Sequence, residues 1–292
     1  YGSPNYDVHR ADLQKALLTV INKEEIQIEK NSEILDLYEE ANSAFIRTKE
    51  SVIESDAVIG ADGIHSIVRK KLWGEDQARY TGNVAWRMLV PIKEISSEFL
   101  QQNTKVWLGH KKHFVQYLVK GGKFLNCVCL VEQNHWMNED WSEKGDIYEL
   151  KNIYSDWHPE IQEILESTNP DCLYKWGLHD RAPLNKWSKG RFSLLGDAAH
   201  PMLPFVAQGA AMAIEDGIVL ASSLSSFDNV ELGLYDYENK RKYRTAKAQR
   251  TAIRNATIFH LSDFFAIFRN LVMKFFIKKI MDGFYKYDAI SK

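Results

Sequence analysis

The stretch from Gly190 to Gly217 constrains the fold more than any other part of the chain. It reads GRFSLLGDAAHPMLPFVAQGAAMAIEDG. Phe192, Leu194 and Leu195 predict a short buried strand, which ends in a Gly-Asp turn. The apolar residues that follow recur at spacings of four and three, which predicts a helix: Ala207, Ala211, Ile214, Ile218 and Ala221. Since open α/β sheets bind ligands where a strand ends and a helix begins, we expect a binding site at this turn.

The residue types at the turn suit a nucleotide-like ligand. Asp197 follows the predicted strand, where a carboxylate accepts hydrogen bonds from a ribose hydroxyl. Gln208, Gly209 and Ala210 begin the predicted helix, and small residues there let backbone N–H groups approach an electron-rich atom. The alternative is an ordinary strand-to-helix turn in which glycine and aspartate serve the turn alone.

A second strand-end turn lies earlier in the chain. The run from Ala57 to Arg69 reads AVIGADGIHSIVR, an apolar strand that leads into a helix. Asp62 and Gly63 therefore occupy the end of a strand, and Ser66 and Arg69 follow one helical turn later. The full pattern GADGxxSxxR is more specific than a bare Asp-Gly pair, which is common in turns.

These two runs together resemble the Asp-Gly motif and the second FAD motif of the class A flavoprotein monooxygenases. The closest likeness is to the salicylate hydroxylase branch, which hydroxylates aromatic acids. The resemblance implies that FAD is bound by Asp62, Gly63, Gly196, Asp197, Gln208, Gly209 and Ala210. In the family, the arginine of a His-Arg-x-x-Leu pattern reaches the FAD phosphates, and Arg10 matches it. The alternative for Arg10 is a solvated surface arginine.

The resemblance also implies a reaction. NADH or NADPH reduces FAD, which reacts with O2 at its C4a carbon, and the resulting hydroperoxide delivers a hydroxyl group to an electron-rich ring. A phenolic substrate needs a base near its hydroxyl group, and His200 is a candidate because imidazole titrates in the useful range. A structural or flavin-contacting role is the alternative for His200. Pro204 is expected to stiffen the loop that lines the flavin.

An aromatic-rich region from Tyr80 to Leu178 predicts an antiparallel sheet. Alternating residues predict strands at 84–90, 105–108, 114–119, 124–131 and 173–177, and Gly121-Gly122 predicts a tight hairpin. Such a sheet can line an aromatic substrate pocket. Trp86 and Arg87 are the substrate candidates. Arg87 either pairs with a substrate carboxylate or is a surface strand residue, and Trp86 either stacks on the substrate or belongs to the core.

The predicted fold is α/β, mixed with α+β. It is a doubly wound, three-layer FAD-binding domain with an inserted antiparallel-sheet substrate domain and C-terminal helices. We expect the FAD-binding domain at residues 1–77 and 183–225, the substrate domain at 78–182 and the helical region at 226–292. The sequence contains no Gly-x-Gly-x-x-Gly turn and begins with Tyr1. We therefore expect an N-terminally incomplete copy, which leaves open an inactive or binding-only remnant. A flavin epoxidase acting on a non-aromatic substrate is also left open.

The composition of the chain indicates which classes of binding partner are expected. The net charge of -2 gives no electrostatic reason to expect nucleic acid binding. Three scattered cysteines predict neither disulfides nor a metal site and favour a reducing cytoplasm. Charged residues interrupt the apolar region 258–280, so no membrane span is expected. Its apolar residues at helical spacing favour packing in the core or in a homodimer: Ile258, Leu261, Phe265, Phe268, Val272 and Phe275.

Overall fold

The computed structural model describes residues 6–21, 26–99, 104–136 and 143–291. The chain forms two compact units, each made of three separate segments. The first unit comprises Tyr1–Ile28, Tyr80–Leu178 and Ile258–Ile277. The second unit comprises Glu29–Arg79, His179–Thr257 and Lys278–Lys292. The predicted domains that begin at residues 1 and 78 both include residues outside the described ranges.

Seven helices and ten strands are formed by the described residues. The helices are α1 (Arg10–Val20), α2 (Ile67–Trp73), α3 (Ile147–Ile153), α4 (Pro159–Glu166), α5 (Gly209–Ser226), α6 (Val230–Phe259) and α7 (Asp263–Tyr285). The strands are β1 (Asp36–Glu40), β2 (Ser43–Arg47), β3 (Val52–Ser55), β4 (Val58–Gly60), β5 (Arg79–Pro91), β6 (Lys105–Gly109), β7 (Lys112–Val119), β8 (Phe124–Glu132), β9 (Tyr174–Asp180) and β10 (Phe192–Leu194). This mixture of helix and strand agrees with the predicted fold class.

A five-stranded sheet with the order β6-β7-β8-β5-β9 dominates the first unit. One of its faces is buried against α3 and α4, because alternate residues of β5 belong to the same apolar cluster as Leu150 and Ile161. Those β5 residues are Val84, Trp86, Met88 and Val90. The intervening Arg87 is half-buried and lies on the opposite face.

The predicted hairpin between β7 and β8 is confirmed. The two strands pair antiparallel from Val119 and Phe124 outward. Residues 120–123 connect them, and the first three, Lys120, Gly121 and Gly122, have φ values of 55°, 64° and 78°. Two glycines suit this turn because left-handed backbone conformations carry a steric penalty for residues with a Cβ atom.

A parallel pair of strands, β4 and β10, lies in the core of the second unit. Phe192 is paired with Val58 and Leu194 with Gly60. Helix α2 packs closely on β4, since a Cβ atom added to Gly60 would lie 2.6 Å from the Cβ atom of Val68. The two predicted strand-turn-helix units are therefore neighbours in one parallel pair.

Three features differ from or extend the sequence expectations. The small sheet of the second unit has three strands, whereas the sequence predicts two, at 34–38 and 44–48, and no strand where β3 lies. The spacing of five apolar residues predicts one buried helical face in the first segment: Leu13, Ala16, Leu17, Val20 and Ile21. Helix α1 forms there, but none of its residues is buried. Helix α7 carries apolar side chains that are mostly exposed, among them Phe264, Phe265, Ile267, Phe268, Leu271 and Phe275. Among the described residues, no helix has both the length and the hydropathy required to cross a membrane.

Candidate functional site

The carboxyl ends of β4 and β10 place both predicted motif turns at one edge of the parallel pair. The backbone N–H of Leu195 donates to the carbonyl oxygen of Gly60 at 2.9 Å. Asp62 follows β4 by two residues, and Asp197 follows β10 by three. The structure thus brings together two carboxylates that are 135 positions apart in the sequence, 197 minus 62.

Asp62 organises the start of α2. Its carboxylate accepts from the Ser66 hydroxyl at 2.5 Å, from the Ile67 N–H at 2.7 Å and from the Val68 N–H at 3.3 Å. These N–H groups have no partner inside the helix, so the carboxylate satisfies them. Gly63 adopts φ +79°, and a Cβ atom added there would meet no atom within 4 Å. The backbone at this turn is therefore open to close approach by a ligand.

Arg69 joins the first motif to the second. Its side chain is 4% exposed, and its Nη1 atom donates to the carbonyl oxygens of Ala198 at 3.1 Å and Ala199 at 3.2 Å. Its Nη2 atom pairs with Asp76 at 2.6 Å. Sequence reasoning included Arg69 in the first motif but did not anticipate this contact. The arginine couples the two turns because a guanidinium group donates in several directions from one rigid plane.

Asp197 is the exposed member of a buried turn. Gly196 and Ala198 on either side of it are buried, and the three residues form one turn of 3₁₀ helix. Gly196 adopts φ +62°, a conformation that favours glycine. This backbone turns the Asp197 carboxylate outward at the strand edge.

Helix α5 begins directly after a proline-containing loop. Ala207 adopts a left-handed conformation with φ 51°, and the N-cap residue Gln208 provides no side-chain cap. A Cβ atom added to Gly209 would meet only Met202, at 3.8 Å. The first turn of α5 therefore offers backbone N–H groups and the positive end of the helix dipole to an anionic or electron-rich atom. Pro204 is exposed in the 3₁₀ turn that precedes α5, and Ala210 is exposed in its first turn.

His200 is buried and paired. The residue is 1% exposed, and its Nε2 atom lies 2.6 Å from the Oδ2 atom of Asp216. Its Nδ1 atom is also buried and has no hydrogen-bond partner among the described residues. The ring of Trp187 packs against the imidazole with a centroid distance of 5.3 Å.

A cluster of charged residues surrounds Asp216, and sequence reasoning missed it. Arg241 is fully buried and donates from Nε to Asp216 at 2.7 Å. Glu215 forms ion pairs with Arg241 and Arg244, both at 2.7 Å. The sequence signals were the Glu215-Asp216 pair on α5 and the two arginines three residues apart on α6, which share a helix face.

The other predicted site residues lie in the first unit. Arg10 is exposed and opens α1, with Asp12 in the same turn. The Trp86 side chain is fully buried in the apolar cluster, with the Lys175 ammonium 4.3 Å from the ring centroid. This placement favours a core role for Trp86. Arg87 lies on the opposite sheet face, where its Nε atom donates to the Asn126 Oδ1 atom at 3.3 Å.

Asn126 and Tyr117 share the sheet face of Arg87, and sequence reasoning missed both. Tyr117 pairs with Asn126 in the β7–β8 register, and Arg87 pairs with Val128, two residues further on. Asn126 is fully buried, and its Nδ2 atom has no hydrogen-bond partner among the described residues. Burial raises the pKa of Tyr117, so its hydroxyl group stays protonated and can donate. A signal was present in the alternation of β8, which places polar Asn126 inside an apolar strand.

The second unit fits FAD by its donor set and its shape. The turn after β10 presents an exposed carboxylate, as a ribose hydroxyl requires, and the uncapped start of α5 presents N–H groups. Glycines at 63 and 209 leave room for close approach, since no backbone atom lies within 4 Å of a Cβ atom built at either position. The described residues contain no group of three or more His, Cys, Asp or Glu that could hold a metal ion.

Comparison with known proteins identifies the family. Residues 3–252 match the model of the FAD binding domain family. A 6-hydroxynicotinate 3-monooxygenase from Pseudomonas fluorescens is 35% identical over 257 residues, which cover 86% of this chain and 65% of that protein. A 3-amino-4-hydroxybenzoate 2-monooxygenase from Streptomyces cremeus is 33% identical over 264 residues, covering 90% of this chain and 65% of that protein.

Two solved structures have the same fold as this chain. Klebsiella pneumoniae HpxO, complexed with FAD and uric acid, superposes with a TM-score of 0.82 at 25% identity, covering 94% of this chain and 71% of that one. A salicylate hydroxylase substrate complex superposes with a TM-score of 0.80 at 23% identity, covering 97% and 74%. The chain belongs to the FAD binding domain family, and the predicted fold class and family resemblance are confirmed. It spans about 65% of the length of the curated relatives described above.

Proposed function

We propose that this chain is the FAD-binding part of a monooxygenase that hydroxylates a small aromatic acid, such as salicylate or a hydroxybenzoate, with NAD(P)H and O2 as co-substrates. The observation that carries the proposal is the edge formed by β4 and β10, where an exposed Asp197 and the uncapped start of α5 follow the same strand. The names of the relatives, which are monooxygenases of hydroxybenzoates and hydroxynicotinate, support the substrate class.

The second unit holds FAD in this proposal. The Asp197 carboxylate accepts from the ribose, and Gln208, Gly209 and Ala210 contact the flavin ring through their backbone. Gly63 and Gly196 permit the turns in which Asp62 and Asp197 lie. FAD supplies the redox chemistry, since it accepts a hydride from NAD(P)H and activates O2. The chain contributes binding, orientation and the positive end of the α5 dipole.

Arg10 is proposed to contact the FAD phosphates. Its exposure at the start of α1 supports this contact, because the guanidinium group is accessible and can donate to phosphate oxygens through two parallel hydrogen bonds. Pro204 is proposed to stiffen the loop before α5, where it begins a 3₁₀ turn.

The first unit recognises the substrate in this proposal. Arg87 binds the carboxylate of the aromatic acid, because a half-buried guanidinium group favours bidentate pairing with an anion. The Asn126 Nδ2 group, which has no hydrogen-bond partner among the described residues, and the Tyr117 hydroxyl on the same sheet face add donors for a carboxylate or phenol oxygen. Of the two substrate candidates, the geometry supports Arg87 more than Trp86, whose ring lies in the core.

His200 remains a candidate for the base, but its surroundings support the structural alternative. Both ring nitrogens are buried, and one is bonded to Asp216. A base must reach the proton that it removes, directly or through one water.

The test of FAD binding compares three purified proteins. The wild-type chain is expected to be yellow, with the absorbance of a bound flavin. Asp197→Ala is expected to lose this absorbance, because the ribose loses its acceptor. Asp228→Ala is the matched control, since Asp228 is also an exposed aspartate after a structured element. A colourless wild type that does not take up added FAD would remove the flavin assignment and favour the inactive remnant.

The test of activity is NADH or NADPH oxidation and oxygen uptake with a panel of planar acids. Salicylate, a hydroxybenzoate and 6-hydroxynicotinate are expected to accelerate both, and the hydroxylated product is identified by mass spectrometry. A flavin-bound chain that no planar hydroxy acid stimulates would exclude the proposed substrate class. An epoxidised product from a non-aromatic substrate would establish the epoxidase alternative instead.

Two further expectations are part of the proposal. The exposed apolar side chains of α7 support a homodimer in which a second copy of this chain covers them. A cytoplasmic location is supported by the three cysteines, which are all free, two of them buried in the sheet.

A further inference from the structure

The carboxylate of Asp216 is the centre of a buried polar cluster in the second unit. Its side chain has no exposed surface. It accepts a hydrogen bond from the Gly196 N–H at 3.1 Å, from the Arg241 Nε at 2.7 Å and from the His200 Nε2 at 2.6 Å. One carboxylate on α5 therefore binds both ends of the segment from Gly196 to His200 as well as a residue of α6.

The cluster is ionised. Burial by itself raises the pKa of Asp216, but the hydrogen bond from His200 and the charge of Arg241 outweigh it and hold the pKa below its ordinary value. Burial lowers the pKa of Arg241, and the charge of Asp216 more than compensates, so the guanidinium group stays charged. An ionised carboxylate only accepts hydrogen bonds. The Nε2 atom of His200 is therefore the donor in its contact with Asp216.

The surrounding ion pairs hold Arg241 in place. Glu215 pairs with Arg241, and Arg244 binds the Glu215 carboxylate through Nε and Nη2, both at 2.7 Å. The Nη2 atom of Arg241 also donates to the carbonyl oxygen of Met212 at 3.2 Å. The two carboxylates and two guanidinium groups of this cluster have no net charge. Pairing of this kind offsets the cost of removing each ion from water.

The segment between the two bonded ends carries the exposed Asp197. Gly196 has a left-handed backbone, and the Ala199 and His200 N–H groups both donate to its carbonyl oxygen at 2.9 Å. With Gly196 and His200 both attached to Asp216, the turn has little freedom to move. The contacts with Asp216 therefore fix the backbone of the turn in which the exposed Asp197 lies.

We infer that Asp216 is a positioning residue, which holds the turn from Gly196 to His200 in the conformation that the proposed FAD site requires, and that His200 serves this anchoring rather than proton transfer. This inference rests on the proposed function in one respect, namely that the ligand held by the turn is FAD. The anchoring itself is a property of this chain that can be measured without any ligand.

The experiment uses the full chain and four variants. Asp216→Asn removes the charge, and Asp236→Asn is its matched control, because Asp236 is a partly buried carboxylate that binds Ser223 and Lys240 rather than the turn. His200→Leu removes the donor to Asp216. His200→Gln keeps a donor at a similar reach but cannot act as a base. Circular dichroism establishes that each variant is folded.

Hydrogen exchange of the Ala199 and His200 amides is the ligand-free readout. Asp216→Asn and His200→Leu are expected to exchange these amides at least tenfold faster than wild type, with His200→Gln and Asp236→Asn within threefold. FAD affinity is expected to follow the same order, with a Kd at least tenfold weaker in the first two variants. Equal exchange in Asp216→Asn, His200→Leu and wild type would overturn the anchoring.

The His200 pair also separates anchoring from catalysis. His200→Gln is expected to retain turnover within a few fold when FAD is bound. Normal FAD affinity with a loss of kcat of a hundredfold or more in His200→Gln would identify a base and overturn the inference. If Asp216→Asn does not fold, the comparison of His200→Leu with His200→Gln tests the anchoring on its own. A wild type that binds no FAD would contradict the proposed function. The hydrogen-exchange rates would still test whether Asp216 anchors the turn, because they are measured without ligand.

Discussion

His113 is a titratable residue whose protonation is set by burial. Its Nδ1 atom lies 2.8 Å from the Nε2 atom of His260, which in turn bonds Glu132 at 2.8 Å through Nδ1. Burial, together with the nearby His260, lowers the pKa of His113 to about 3. Burial also lowers the pKa of His260, against the opposing effect of Glu132. Both imidazoles are therefore neutral in the folded protein at neutral pH.

This depressed pKa predicts a loss of stability in mild acid. Below its ordinary pKa of 6.5 an unfolded His113 binds a proton, whereas the folded residue stays neutral down to about pH 3. The unfolded state then holds more protons, so the free energy of unfolding falls as the pH falls, by about 1.4 kcal/mol per unit from this residue. Denaturant unfolding of wild type, His113→Gln and the exposed control His135→Gln measures the slope. The same slope in all three would contradict the assignment.

Arg87 tests the proposed contact with a substrate carboxylate. Arg87→Lys keeps the charge but loses the planar fork that binds a carboxylate through two parallel hydrogen bonds. We expect KM for the aromatic acid to rise about tenfold, which corresponds to about 1.4 kcal/mol, while kcat changes less. Arg250→Lys, at an exposed position of α6, is the control. An unchanged KM in Arg87→Lys would return Arg87 to the surface-strand interpretation.

At the scale of elements, α5 combines two functions in its first two turns. Its first turn offers backbone N–H groups at Gly209 and Ala210, and its second turn supplies Glu215 and Asp216 to the buried cluster. The same helix therefore presents the proposed flavin-binding surface and supplies Asp216, which we infer to anchor the turn before the helix. The two groups of residues keep a fixed spacing, because a helix rises by a constant amount per residue over such short distances.

The open space at Gly209 predicts a substitution that affects the ligand rather than the fold. A Cβ atom there meets only Met202 at 3.8 Å, so Gly209→Val is expected to fold with a melting temperature close to that of wild type. FAD affinity is expected to weaken about tenfold or more, because the added methyl groups occupy the approach to the helix start. Gly217→Val is the control on the same helix, where nothing lies within 4 Å. Equal FAD affinity in both variants would place the ligand away from α5.

At the scale of the whole molecule, both units are assembled from segments that alternate along the chain. Their cores consequently depend on contacts between residues far apart in sequence, such as Tyr237 with Leu194 in the second unit and His260 with His113 in the first. Such non-local contacts slow folding, because loop closure precedes the gain from packing. Local sequence patterns predict the elements of such a chain better than its contacts.

Helix α7 predicts the oligomeric state. Phe268 and Phe275 are 59% and 67% exposed, and such exposed apolar side chains favour association. The double substitution Phe268→Asp with Phe275→Asp is expected to convert a particle of twice the chain mass into one of a single chain, as measured by light scattering after size-exclusion chromatography. Phe227→Asp, a 40% exposed residue after α5, is the control. A wild type that has the mass of one chain at micromolar concentration would refute the homodimer.

Sequence alone determined the two motif turns and the strands and helices beside them, because these depend on neighbouring residues, whereas β3, α3 and α4 were not predicted. The alternation in β8, the spacing of α5 and the Gly-Asp turns were all readable, and they placed Asp62 and Asp197 at strand ends. Tertiary structure decided which of two adjacent residues belongs to the core: alternation separates Trp86 from Arg87, but only packing on α3 and α4 decides that Trp86 is the buried one. It also decided the partner of His200, since Asp216, which lies 16 residues away (216 minus 200), binds the imidazole. Asp216 is itself bound by Arg241, which lies 41 residues from His200 (241 minus 200). Contacts of that kind have no local pattern, because they arise only when separate elements pack.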